Sequence, residues 1–430
     1  MKSNNTKQIR KKMEIKMLKK NMVIGMVISL IVMYFIPTDF AGGKNFKNTI
    51  YVDDDGGADY TKINDAINNA SDGDTIYVYS GIYYENIKVY KSVKLIGENR
   101  NTTIIDSQGS GDVINITANQ VTLSSFTIQN TDTNHHIGQQ GIYVKSHYNI
   151  ITNNKIIDNW SHGIFLYRAS NNIISNNIIT HNKHYGIYLQ QQSNKNQLLE
   201  NEVSYNIGHG IHISDYSKDN TISGNIITEN TGSGIRLHYA ITSTSIHGNS
   251  IKNNHKQGIY MDAGSDNNNI SNNIIEDNKG MGILLDLWCN NNVISGNIIA
   301  NNNREYYNDI GGIGIGSSSN NIISGNDIRD NKRESIYIYK ATNNVVMKNN
   351  IMGDQNDASF EFIAEGTLKN LSSKIRDSFT NKFIRNYWGR IRLMPKPITG
   401  KILWDWHPSY APLEISPWIV FDWHPAFKPY

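Results

Sequence analysis

From Gly141 to Ile351 the chain repeats itself about every 24 residues. The residues after each repeat glycine alternate apolar and polar, and two asparagines follow at near-constant distances. These three observations predict an all-β protein, a right-handed parallel β-helix of about 11–12 coils. A short N-terminal capping helix and a Trp/Pro-rich C-terminal tail are expected at its ends. The glycine falls at Gly141, Gly163, Gly186, Gly210, Gly234, Gly258, Gly282 and Gly312, with Ser335 in its place in the last unit. One asparagine recurs at Asn154, Asn177, Asn201, Asn225, Asn249, Asn273, Asn297, Asn326 and Asn350. The second recurs at Asn159, Asn182, Asn206, Asn230, Asn254, Asn278, Asn302 and Asn331. Ile, Val and Tyr dominate the segments between, and no proline interrupts the chain from Pro37 to Pro395, as stacked strands require. Coils about 4.8 Å apart place equal repeat positions in ladders. Asparagine suits the bends because it tolerates left-handed backbone and bonds locally, and its stacked side chains can bond to one another.

Residues 1–43 lie outside this pattern and read as a signal peptide or signal anchor. Eight Lys or Arg and two acids accompany an apolar run from Met22 to Ile36, with Ala41, Gly42 and Gly43 offering a cleavage site. That run is short for a membrane span, so export to the cell surface or the medium is expected, with a membrane reached only through an uncleaved anchor. Removing the segment turns the formal charge of +3 into about −3, which argues against nucleic acid as a partner. The one cysteine, Cys289, cannot form an internal disulfide and is expected to pack.

Residues 44–130 form the N-terminal cap and first coils. Ile50–Val52 reads as a strand, and Ile63, Ala66, Ile67 and Ala70 have helical spacing. A helix there would cover the open edge of the solenoid. The run from Asp59-Tyr60 through Gly73-Asp74-Thr75-Ile76, Gly81-Ile82-Tyr83, Glu85 and Lys91-Ser92 to Leu95-Ile96-Gly97 resembles the N-terminal cap of the pectin-lyase-like β-helix superfamily. The repeats resemble its NosD-like, or carbohydrate-binding and sugar-hydrolase, branch. The resemblance covers roughly residues 49–390 and implies the fold. Members include lyases, hydrolases, epimerases, metal-handling proteins and surface proteins without known chemistry, so it leaves activity open.

Residues 131–352 hold the regular repeats. One unit is lengthened by Arg304-Glu305-Tyr306-Tyr307-Asn308-Asp309, either a binding loop or a tolerated insertion. Residues 353–430 comprise a last strand near Ser359–Ile363 and the tail, which carries seven of the eight prolines and five of the seven tryptophans. The tail duplicates Trp404-Asp405-Trp406-His407-Pro408 as Phe421-Asp422-Trp423-His424-Pro425. With its Asn386-Tyr387-Trp388-Gly389 start it is similar to the tails of archaeal-type surface β-helix proteins, which specifies no activity. Five tryptophans need apolar cover, so residues 386–430 are expected to pack on the last coil.

Counted from the repeat glycine, positions +1 and +3 point inward and +2 and +4 outward. The +2 ladder reads Tyr143, Phe165, Tyr188, His212, Arg236, Tyr260, Leu284, Gly314, Tyr337. The +4 ladder reads Lys145, Tyr167, Gln190, Ser214, His238, Asp262, Asp286, Gly316, Tyr339. Rings of this kind stack on sugars, so Tyr143, Phe165, Tyr167, Tyr188, His212, Tyr260 and Tyr337 are the expected contacts of a polysaccharide laid along the axis. The alternative is cross-strand stacking alone. Asp262 and Asp286 stand on adjacent rungs, where like charges repel. A raised carboxyl pKa, a bound Ca2+, or the neighbours Arg236 and His238 would compensate. These four residues are the expected catalytic centre, serving a lyase, hydrolase or epimerase. His162, His184, His209, His212, His238 and His255 lie near one edge, but their offsets from the glycine differ and no metal spacing emerges. The expected function is polysaccharide binding by an exported monomer. A structural or adhesive envelope protein and a NosD-like copper-handling protein are the alternatives.

Overall fold

A computed structural model describes residues 48–131, 139–303, 311–352, 356–365, 380–388, 396–405, 413–422, 425–426 and 428–429. The N-terminal segment 1–47, the insertion at 304–310 and the two tail histidines lie outside the described residues. Among the described residues no helix is long and apolar enough to cross a membrane.

The expected solenoid is present. Between the two ends each strand pairs in parallel with the third strand after it, and the described residues form three sheets of 14, 14 and 12 strands. The strands that follow the repeat glycine form one of them, here called the glycine sheet. Its register holds from rung to rung: Arg236 lies opposite Tyr260, Leu237 opposite Met261, and His238 opposite Asp262. The inward positions form one isoleucine-rich core, with Ile246, Ile251, Ile259 and Met261 fully buried. That core runs the length of the helix and supplies its main stabilisation.

The entrance is capped as the spacing predicts. Helix Ile63–Asn69 buries Ile63, Ala66 and Ile67. Its free N-terminal amides are satisfied from the first coil, because the Glu85 carboxylate accepts from Ile63 N–H at 2.7 Å and Asn64 N–H at 3.0 Å.

The asparagines do one of the two jobs expected of them, bonding to one another up the ladder, and not the other. The left-handed residue at each bend is the one before the ladder asparagine: Asp158 before Asn159, Glu200 before Asn201, Gly224 before Asn225. The asparagine itself is a cross-link. Asn225 Nδ2 donates to Leu198 O at 2.8 Å and Asn249 Oδ1 at 2.9 Å, and its N–H also donates to Asn249 Oδ1. Each coil thus satisfies the bend of its neighbour, where no strand pairing is available. A third ladder escaped the sequence reading: Asn149, Asn172, Asn196 and Asn220, then Thr244, then Asn268, Asn292, Asn321 and Asn344.

At the far end Lys396–Asp405 continues the glycine sheet in parallel, and Leu413–Asp422 closes it with an antiparallel pairing. Asp422, from the second copy of the duplicated motif, ends an asparagine ladder. Its buried carboxylate accepts from Arg385 N–H, Asn386 N–H and Trp388 Nε1–H at 2.9–3.1 Å.

Candidate functional site: the outer face of the glycine sheet

The repeat glycine makes this face possible through close approach. A Cβ at Gly258 would meet Gly282 O at 2.7 Å and the Ile275 methyl at 2.4 Å. Without side chains there, successive coils close tightly and the +2 and +4 residues line up outside.

Two columns of rings then run along the axis. In the +2 column Tyr143, Phe165, Tyr188 and His212 stack with centroids 5.1, 5.0 and 4.8 Å apart. Beside it, one residue before each glycine, His162, Tyr185 and His209 stack at 5.0 and 5.2 Å. Sequence reasoning missed Tyr185, although the recurrence of rings at this offset was there to be counted. Lys145 Nζ covers the Tyr143 ring at 4.4 Å. Tyr188 hydroxyl meets Ser214 Oγ at 3.0 Å, and burial pushes its pKa up to about 12. Burial holds His162 and His212 well below the ordinary imidazole range and His209 down to about 3. These are neutral rings that behave as aromatics.

The expectation that every +2 and +4 side chain is open to solvent is corrected here. His212 is 5% exposed and Asp262 3%, because neighbours on the same face cover them. Asp262 sits under a cluster of three partners. Arg236 Nη2 donates to its Oδ2 at 2.8 Å, and His238 Nδ1 meets its Oδ1 at 2.5 Å. The Arg236 guanidinium lies 5.1 Å from the Tyr260 ring centre. Burial, with the charge of Asp262, raises the Tyr260 pKa. His238 remains partly exposed, at 39% of its side chain. Its Nδ1 is held by a buried carboxylate, which fixes the orientation of the ring.

Of the compensations expected for the Asp262 and Asp286 pair, the geometry shows the neighbours Arg236 and His238. Asp262 spends both oxygens on Arg236 and His238, so the repulsion between rungs is met by the neighbouring cation and imidazole. Asp286 is bound into its own turn, its Oδ1 accepting from Leu287 N–H at 2.9 Å, and it leans over Gly316 on the next coil. Burial raises its pKa, and the charge of Asp262 adds to this. Tyr143, Phe165, Tyr188, His212, Arg236, His238, Tyr260 and Asp262 therefore form one continuous surface, with Tyr167 at its margin bonded to Gln191 at 2.7 Å. Tyr337 lies apart, beyond the interruption at Gly314 and Gly316, and donates to Glu361 at 3.1 Å. Cys289 packs as expected: it is buried, its thiol donates to Asp286 O, and its pKa is pushed up to about 12.

A family model described as "Periplasmic copper-binding protein (NosD)" matches residues 67–263 and 253–389, most of the chain. The chain belongs to this family. Among solved structures, the NosD-family chain is similar to the A-module of the Azotobacter vinelandii mannuronan C-5 epimerase AlgE6, at 17% identity and a TM-score of 0.61. That match covers 69% of this chain and 89% of the other. The A-module of AlgE4 from the same organism matches at 15% identity and a TM-score of 0.50, covering 69% and 91%. The catalytic domain of a GH87 α-1,3-glucanase in complex with tetrasaccharides matches at 14% and 0.50, covering 73% and 64%. No curated protein matches by sequence. The fold is thus one shared with carbohydrate-acting β-helix proteins.

The family description names copper, and the donor set can be tested against it. The described residues contain no group of three or more His, Cys, Asp or Glu side chains placed to hold an ion. His162 and His184 bring their Nδ1 atoms to 3.2 Å, but His162 Nδ1 also accepts from Tyr185 N–H. His209 Nδ1 is occupied by Ser233 N–H at 2.9 Å. His162 and His209 thus have protein partners on Nδ1, and no three-donor set gathers around them among the described residues.

Proposed function

We propose that this protein is exported and binds a polysaccharide along the outer face of the glycine sheet, with its chain parallel to the helix axis. The observation that carries the reading is the unbroken column from Tyr143 to His212 leading into the Arg236, His238, Tyr260 and Asp262 cluster. Because the rings stack on one another, they turn their edges outward at about the spacing of coils, an apolar strip against which the C–H groups of successive sugars can pack. The cluster then supplies polar groups with fixed geometry. His238 is the candidate base, Asp262 orients it, and Arg236 and Tyr260 hold the sugar beside it. Such a centre suits proton abstraction from a bound sugar, which a lyase and an epimerase share. Similarity in fold to the epimerase A-modules and the glucanase supports a glycan ligand.

The test is incubation of the protein with a panel of uronic-acid and neutral polysaccharides, reading gel retardation together with new unsaturated or reducing ends. Retardation by at least one polymer is expected. A His238→Gln variant should keep that retardation and lose any product formation. Retention of none of the polymers contradicts the reading.

A further inference from the structure

Beside the face, the turns that leave three successive strands of the glycine sheet surround an open pocket of about 450 Å3. Arg168, Gln191, Gln192, Asp215 and Tyr216 line it. All five stand in left-handed backbone, at φ of 52°, 52°, 58°, 56° and 60°, where a side chain is disfavoured. The same turn two coils further on is made by Ala263 and Gly264. The turn therefore does not require these large polar groups, and their chemistry needs another reason.

Their hydrogen bonds fix what the pocket offers. Gln191 Oε1 accepts from the Tyr167 hydroxyl at 2.7 Å and from Arg168 Nε at 3.0 Å, which leaves its amide nitrogen to donate. Asp215 Oδ2 accepts from Gln190 Nε2 at 2.9 Å and Ser214 Oγ at 3.1 Å, which leaves Oδ1 to accept. Ser214 Oγ also meets the Tyr188 hydroxyl, so the pocket wall is continuous with the aromatic column. Tyr216 is exposed, and its ring is braced edge-on by Tyr239 at 5.1 Å.

One guanidinium and one carboxylate give the pocket no net charge. Donors from Arg168 and Gln191, an acceptor on Asp215 and the flat ring of Tyr216 match the hydroxyls and the C–H face of a sugar. The carboxylate of a uronate would meet Asp215 at like charge. We infer that this pocket is a subsite for an uncharged hexopyranose unit of the polysaccharide, an inference that rests on the glycan reading of the adjoining face.

Calorimetric titration of the full chain with neutral hexasaccharides (β-1,4-glucose, β-1,3-glucose and β-1,4-mannose) and with a mannuronate hexasaccharide tests it. At least one neutral hexasaccharide should bind, and Tyr216→Ala and Asp215→Asn should each weaken it about tenfold or more. The mannuronate should bind more weakly than the neutral ligand and gain affinity in Asp215→Asn. Because Tyr216 is exposed, Tyr216→Ala should melt with wild type, so a loss of binding there is read as loss of contact. Binding of no neutral hexasaccharide, unchanged binding in both variants, or mannuronate binding as tight as the neutral ligand overturns the inference. A Phe165→Ala variant separates the two readings. If it leaves polymer retardation intact while Tyr216→Ala abolishes hexasaccharide binding, the pocket stands and the face reading falls.

Discussion

His212 carries two buried ring nitrogens with no hydrogen-bond partner, which costs about 1–3 kcal/mol for an unsatisfied group. Its ring stacks on Tyr188, so a phenyl ring can take its place. His212→Phe should raise the melting temperature, and a lower one would contradict the neutral-ring account. The same imidazoles set a pH dependence. Unfolded histidine titrates near pH 6.5, whereas folded His209 is held at about 3 and His162 and His212 well below the ordinary range. As pH falls, the unfolded chain takes up protons first. Stability from this source is therefore complete above about pH 7 and is lost below it, by about 2 kcal/mol per histidine between about pH 7 and about pH 5. Thermal melts across that range should show the loss, with a shallower slope in His212→Phe. The rings of the +2 column were legible because their offset from the glycine is constant. The burial of His212 and Asp262 was not, because it comes from long side chains on adjacent rungs leaning over one another. The left-handed turn residues were missed for a related reason: period-two reasoning ends where the strand ends.

Elements in this fold are tied together by ladders, and the ladders make sharp predictions. Thr244 interrupts the third asparagine ladder, and its buried hydroxyl finds no partner. Thr244→Asn should restore the cross-link and raise stability by about 1 kcal/mol. Asn225→Leu should do the reverse, costing about 1–3 kcal/mol by leaving Leu198 O and Asn201 without their partners. Gly258→Ala should cost about as much through overpacking, since its Cβ would press on backbone. Chemical denaturation of the three variants beside wild type checks all of them. Unchanged stability in Gly258→Ala would mean that the coils can spread at that point. The strands and two of the ladders could be read from periodicity. The third was hidden because Thr244 breaks its run.

At the scale of the molecule, a solenoid must protect both ends, and the two caps differ in how readable they were. The entrance helix announced itself by its apolar spacing. The exit could be recognised as Trp-rich, but the role of the duplicated motif depends on Asp422 reaching the last asparagine, a contact between positions far apart in the chain. Asp422→Ala should strip Arg385 N–H, Asn386 N–H and Trp388 Nε1–H of their acceptor. Faster hydrogen exchange confined to the last coils is expected. Protection equal to wild type there would show that the antiparallel closure alone secures the end. Between the caps the aromatic column and its charged centre span several coils, so on the proposed reading a glycan lying along the axis would gain contacts with each sugar added. The most direct measurement is the affinity of the protein for size-fractionated oligosaccharides of whichever polymer retards it. Affinity should climb with chain length until the ligand spans the rungs from Tyr143 to Tyr260 and then level off, and Phe165→Ala should flatten the climb. Affinity independent of length, with Phe165→Ala indistinguishable from wild type, would contradict binding along the axis.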